Sequence, residues 1–262
     1  MVNPVRKLRQ LLGKELERVQ HRFETDVIYL RYPALYFHNA VLMIRANILD
    51  KPIVHVIGDS HIKSYSFEEL FVIHHIEQAT AYNLDKINSA TKSKAKIEKI
   101  IGRINKERDI LLMVFGEIDA RIHIYYQYEK NRRKIDIEEL INRTIQKYGE
   151  TLRHVVNAGY MVAVHGIPPA TSIKINHFQY PYYGTPQQRS EISREFNAKL
   201  MAYCSRNNIP YIDVYSATVN REGFIKQGFA EDDIHLNKKI VPFTKQQLAA
   251  YFGNRKSLWR LT

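Results

Sequence analysis

The sequence predicts an α/β protein in which a mostly parallel five-stranded sheet is covered by helices on both faces, a three-layer α/β/α sandwich. Three observations predict it. From residue 52 onward, short runs rich in Val and Ile alternate with segments of helical periodicity. One run, Ile110-Leu111-Leu112-Met113-Val114-Phe115, has no polar alternation, as expected of a strand covered on both sides. The helical segments carry their own start and stop residues, and strands that alternate with helices pair in parallel through crossovers.

Taken in order, residues 1–50 read as a basic helical extension and residues 51–262 as the main domain. In the extension, Val5, Leu8, Leu11, Leu12 and Leu16 recur at helical spacing among Arg6, Lys7, Arg9, Lys14 and Arg18. An aromatic stretch follows (Tyr29, Tyr32, Tyr36, Phe37), then Val41-Leu42-Met43-Ile44. A basic amphipathic helix packs on its own domain or a second subunit, or makes peripheral contact with a membrane. Ile53–Ile57 is the first strand and Leu70–His75 the second. Residues 97–106 form a basic helix, and Ile110–Phe115 is the third strand. Asp136 with Glu139 opens a helix that Gly159 ends. Tyr160–His165 is the fourth strand, followed by a loop rich in Pro, Tyr and His up to Gly184. Thr185-Pro186-Gln187-Gln188 is a helix start with a cap, a proline at the first position and a glutamine three residues on. Tyr211–Tyr215 is the fifth strand, and a last helix begins at Thr244.

Composition bounds the function. The chain has 262 residues, and its net charge of +12 favours an anionic partner. The charge is spread, and no zinc-finger spacing or recognition signature supports nucleic acid. The one cysteine, Cys204, excludes an internal disulfide framework and reads as a core residue. No apolar run approaches the roughly 20 residues of a membrane span. The N-terminus lacks the apolar region of a secretory signal, so the expected location is cytoplasmic.

Chemistry concentrates at three places. Gly58-Asp59-Ser60-His61 follows the first strand, Gly116-Glu117-Ile118-Asp119-Ala120-Arg121 the third, and Asp232-Asp233-Ile234-His235 comes after the fifth. In a parallel sheet the loops after strand C-termini share one edge, where ligands bind. A serine nucleophile needs a base, and the base an orienting carboxylate; Ser60, His235 and Asp232 supply the three types. His74, His75 and His123 show no metal-ligand spacing, so no metal is expected.

With these strings the chain resembles the SGNH, or GDSL-type, hydrolase family from about residue 52 to the C-terminus. The resemblance implies a flavodoxin-like sandwich, Ser60 as nucleophile, His235 as base and Asp232 as its orienting acid. It also looks similar, more loosely, to a subgroup found beside surface-polysaccharide biosynthesis proteins. The family's asparagine, an oxyanion donor in Gly-x-Asn-Asp, corresponds to Ile118, which cannot donate. Its second glycine corresponds to the region of Ala79, whose backbone N–H is a candidate donor. Gly116, Glu117, Asp119 and Arg121 complete the expected oxyanion and substrate-binding set, together with Tyr182 from the tyrosine-rich loop, a ring suited to sugar stacking.

The expected function is a serine esterase or O-acyltransferase that acts on an O-acyl group, most simply acetyl, of a carbohydrate. No cofactor is required, with acetyl-CoA as acyl donor for a transferase. The alternative is a weak or inactive module that binds glycan, with Ile118 as its main support.

Overall fold

The computed structural model describes residues 33–174 and 183–253, and the helical pattern at residues 5–16, Tyr182 and the rest of residues 175–182 lie outside them. A helix, α1, spans residues 33–49. The sheet contains β1 (Val54–Gly58), β2 (Phe71–His75), β3 (Ile110–Val114), β4 (Met161–His165) and β5 (Tyr211–Ile212). Its order is β2-β1-β3-β4-β5 and every neighbouring pair is parallel. The chain runs from β1 to β2 on one side and then crosses to β3 on the other. The crevice of such a sheet therefore opens between the C-terminal ends of β1 and β3.

Side chains alternate between two buried layers, as the two-residue strand period requires. Ile57, Leu111, Met113, Val162 and Val164 face α2 (Ser93–Ile101), α4 (Ile137–Asn157) and α5 (Pro186–Arg206) through Ile97, Leu152, Phe196 and Leu200. Val54, Val56, Ile110, Leu112 and Ala163 face the opposite way, against Ile62, Tyr65, Ile240 and Leu248. The predicted covering of β3 on both faces is observed.

Two caps form as the sequence implies. The Asp136 carboxylate accepts from Glu139 N at the start of α4, and Thr185 and Gln188 form a reciprocal capping box on α5. The side chain of Asn39 in α1 accepts from Ile73 N and donates to Ile73 O on the outer edge of β2. It thus satisfies an edge that would otherwise be open to another strand.

Three boundaries differ from expectation by more than a residue or two, and one further helical turn is present. The basic helix runs Ser93–Ile101 rather than 97–106, because Gly102 ends it. The fifth strand stops at Ile212: Asp213 accepts from Ser216 N and caps a short helix, α6 (Val214–Thr218). The last helix, α7, begins at Ile240, one turn before Thr244, with Pro242 in the first turn where its missing N–H costs nothing. The chain after Gly116 is helical, a wide π-type turn over Asp119–His123 leading into α3 (Ile124–Lys130).

Candidate active site

Ser60 sits where β1 ends and a 3₁₀ helix, Ser60–Tyr65, begins. Gly58 is required there by close approach rather than by backbone conformation: a Cβ would run into the Val114 carbonyl oxygen and lie 2.6 Å from Ile62. The Asp59 side chain caps the 3₁₀ helix, accepting from His61 N at 2.9 Å. Three further bonds hold that helix. Tyr65 OH lies 2.7 Å from His165 Nε2 and 2.8 Å from Thr244 Oγ1, linking it to β4 and α7. Ser64 Oγ donates to Leu236 O at 2.5 Å, joining it directly to the loop that carries His235.

That loop is closed on itself. Ala230 bridges Leu236, and Glu231 N donates to His235 O. One Asp232 oxygen accepts from the backbone N–H groups of Ile234 (2.8 Å) and His235 (2.7 Å). The other lies 2.7 Å from His235 Nδ1. The hydrogen bond from the His235 ring, then those from the two backbone N–H groups, hold the Asp232 carboxyl well below the usual carboxylate range despite partial burial. With a carboxylate on Nδ1, the other ring nitrogen is left to accept. Ser60 Oγ lies 2.7 Å from that Nε2. Residues 175 positions apart are thereby placed as a hydroxyl–imidazole–carboxylate chain.

A second carboxylate–imidazole group lies beside the first. The His61 ring packs 4.8 Å from the His235 ring, its Nδ1 is 2.9 Å from Asp59 Oδ1, and its Nε2 is 3.7 Å from Glu117 Oε2. Burial works against charge on His61, yet Glu117 and Asp59 together outweigh it and raise its pKa above that of ordinary histidine. Glu117 also accepts from Arg121 Nε at 2.6 Å. Asp59, which caps the 3₁₀ helix, also holds the His61 ring. His61 was legible only as the residue beside Ser60; its contact with Glu117 joins segments 56 positions apart and left no local pattern.

Asp119 has a different task. It is buried and accepts from Ala81 N (2.6 Å) and Tyr82 N (3.2 Å), fixing the loop after β2 to the turn after β3. Burial pushes its carboxyl up to about 7 against the pull of those two bonds. Ala79 departs from its expected use, since its N–H donates to Ile76 O at 3.2 Å, in a turn. Ile118 packs in a small apolar group with Ile122 and Tyr183. Gly116, at φ +113°, turns the chain where a Cβ would lie 2.6 Å from the Phe196 ring. Glu117 and Arg121 line a narrow pocket with Pro168, Thr171, Asp233 and Arg189. Arg189, not singled out in the sequence, is buried and donates to Ile173 O and Gly184 O. Among the described residues, no group of three or more His, Cys, Asp or Glu side chains is placed to hold a metal ion.

On the other side of His235 is a cavity of about 420 Å³. Leu35, Ile62, Phe67 and Ile73 form its apolar wall, and Lys63, His75, Asp232 and His235 also line it.

Comparison with solved structures shows the same fold. An assigned acylhydrolase of Bacteroides fragilis NCTC 9343 matches at 14% identity and a TM-score of 0.50, over 78% of this chain and 87% of that one. A GDSL-like lipase of Bacteroides thetaiotaomicron VPI-5482 matches at 12% identity and a TM-score of 0.47, over 79% and 87%. The M. smegmatis aryl esterase matches at 16% identity and a TM-score of 0.43, over 79% and 100%. No curated protein matches the sequence. The model of the GDSL-like lipase/acylhydrolase family matches residues 57–240, a span from the strand before Ser60 to beyond His235, and the chain belongs to that family.

Proposed function

We propose that this acylhydrolase-family protein is a serine esterase, or an O-acyltransferase, that removes or transfers an O-acyl group, most simply acetyl, of a carbohydrate through an acyl-Ser60 intermediate. The observation that carries the reading is the Ser60–His235–Asp232 chain, with 2.7 Å at each link.

In the reaction, Ser60 Oγ attacks the ester carbonyl while its proton passes to His235 Nε2. Asp232 stabilises the imidazolium through Nδ1–H. The tetrahedral intermediate collapses and the C–O bond to the sugar breaks. His235 returns its proton to the departing alkoxide, leaving the acyl group on Ser60. Water attacks this acyl-enzyme with the same base, releasing the acid; a second sugar hydroxyl in place of water gives transfer. In the transferase case acetyl-CoA is the donor instead: Ser60 Oγ attacks its thioester carbonyl, the C–S bond breaks, and His235 returns the proton to the departing CoA thiolate. The Ser60 backbone N–H and the Arg121 guanidinium are the donors we assign to the oxyanion, since Ile118 supplies none.

Support for a sugar substrate comes from residues around the site. The charged network of Glu117, Arg121 and His61 offers fixed polar partners, and Tyr183, half of a tyrosine pair with Tyr182, borders it. The chain's positive charge favours anionic or phosphorylated sugars handled in the cytoplasm, of the kind that surface-polysaccharide assembly consumes.

The test is labelling with a fluorophosphonate, followed by turnover of 4-nitrophenyl acetate and of O-acetylated sugars. Labelling is expected in the wild type and absent in Ser60→Ala and His235→Ala. The apolar surroundings of Ile118 favour a second reading, a glycan-binding module without turnover. That reading is correct if wild-type protein neither labels nor cleaves any ester yet retains sugar binding.

A further inference from the structure

Helix α1 is apolar on two opposite faces. Leu42 and Ala46 are buried against Ile53 and Val72, and Asn39 is bonded to the edge of β2. Phe37, Val41, Ile44 and Ile48 are spaced by four, three and four residues, which places them in one stripe along the other side. All four are exposed, Phe37 to 73% and Ile48 to 76%. A helix on a protein surface ordinarily turns charge toward water and keeps one apolar face for the core. Here the outward face is apolar instead. The helix has no acidic residue between 33 and 49, and Arg45 is its one charged side chain.

Charge surrounds this stripe in sequence. Residues 1–32, which lead directly into α1, hold seven Lys and Arg against four Asp and Glu. The whole chain carries +12. No helix among the described residues is long and apolar enough to cross a membrane. An exposed apolar stripe without acidic residues, next to a basic segment, supplies the two signals that surface binding to lipid requires, because either alone is marginal.

We propose that the outward stripe of α1, Phe37, Val41, Ile44 and Ile48, seats the protein on an anionic lipid surface, with the chain's net charge of +12 adding electrostatic attraction. Leu35, from the first turn of the same helix, shares the inward face with Asn39 and Leu42 and lines the 420 Å³ cavity beside Asp232 and His235, so the stripe and the cavity lie on opposite sides of α1. The docking does not rest on the esterase reading.

The experiment is co-sedimentation of the full chain with vesicles of phosphatidylcholine alone or mixed with phosphatidylglycerol. It compares wild type with Ile44→Asp/Ile48→Asp at low and high salt. Wild type is expected to pellet with the mixed vesicles and to be released by salt. The double variant is expected to bind more than about ten-fold more weakly while keeping its circular dichroism and thermal midpoint. Ile44→Gln/Ile48→Gln replaces it where the acidic pair misfolds. No pelleting on mixed vesicles, equal pelleting on neutral ones, or equal pelleting of the double variant would each overturn the proposal. So would a dimer in sedimentation that the double variant dissolves, which would make the stripe a contact between copies. None of these readouts depends on ester cleavage, so failure here and failure of the esterase reading remain separate.

Discussion

Asp232 spends both carboxylate oxygens on its own loop and on the His235 ring, so it acts by orientation rather than by moving a proton. Asp232→Asn would present an amide to one of these donors and leave the imidazole in the wrong tautomer. It is expected to lower kcat on 4-nitrophenyl acetate by about 10⁴-fold with little change in KM, a split read directly from steady-state kinetics. Asp119 makes a pH prediction. Burial raises its carboxyl from 3.8 to about 7 in the folded protein. Between those values the folded state holds a proton that the unfolded chain has lost. Its contribution to stability is therefore fully present below about pH 4 and declines as pH rises toward 7. Urea denaturation of Asp119→Asn at several pH values should show a flatter slope across that window. The variant should also be less stable overall, because one backbone donor now meets an amide. An unchanged slope would mean that Asp119 is ionised in the fold. Asp232 acts in the opposite sense: its depressed pKa contributes stability above about pH 4 that is lost under acid.

At the scale of elements, the hydroxyl and the imidazole come from a 3₁₀ helix and a loop that are joined, besides the Ser60–His235 bond itself, by a side-chain bond from Ser64 Oγ to Leu236 O. Ser64 is therefore a positioning residue. Ser64→Ala is expected to cost about 1 kcal/mol of stability and to lower kcat several-fold while KM stays fixed. Ser64→Thr, which retains the hydroxyl, should recover part of it. A purely structural role would lower the thermal midpoint and leave kcat untouched. On α1, Asn39 satisfies both backbone groups of Ile73. Asn39→Leu should leave them unpaired at a cost of about 1–3 kcal/mol in urea denaturation, with faster amide exchange at Ile73.

For the whole molecule, the site depends on how tightly β1 and β3 approach at the crevice. Gly58 is the point of closest contact, where any side chain meets the Val114 carbonyl. Gly58→Ala must separate the two strands or shift the 3₁₀ helix. The expected result is a loss of about 1–3 kcal/mol together with loss of fluorophosphonate labelling, because the distortion is passed directly to Ser60.

The strands were legible because a parallel sheet buried on both faces demands continuous apolar runs, and Ile110–Val114 can be little else. Helix starts at Asp136 and Thr185 were legible because capping is local, decided within four residues. Boundaries set by tertiary contact were not: Ile212 ends its strand because Asp213 finds Ser216 N, and α7 begins early because Ile240 is wanted in the core. At the site, the sequence by itself determined the residue types, a serine after the first strand and a histidine with an aspartate three before it. Only the tertiary structure decided that Ser60 and His235 lie 2.7 Å apart, that the Ala79 N–H donates to Ile76 O, and that His61 and Glu117 form a second polar pair against the first. The division follows from range: capping and strand pattern are fixed by neighbours along the chain, whereas a hydrogen bond across 175 residues exists only once the sheet has set both ends in place.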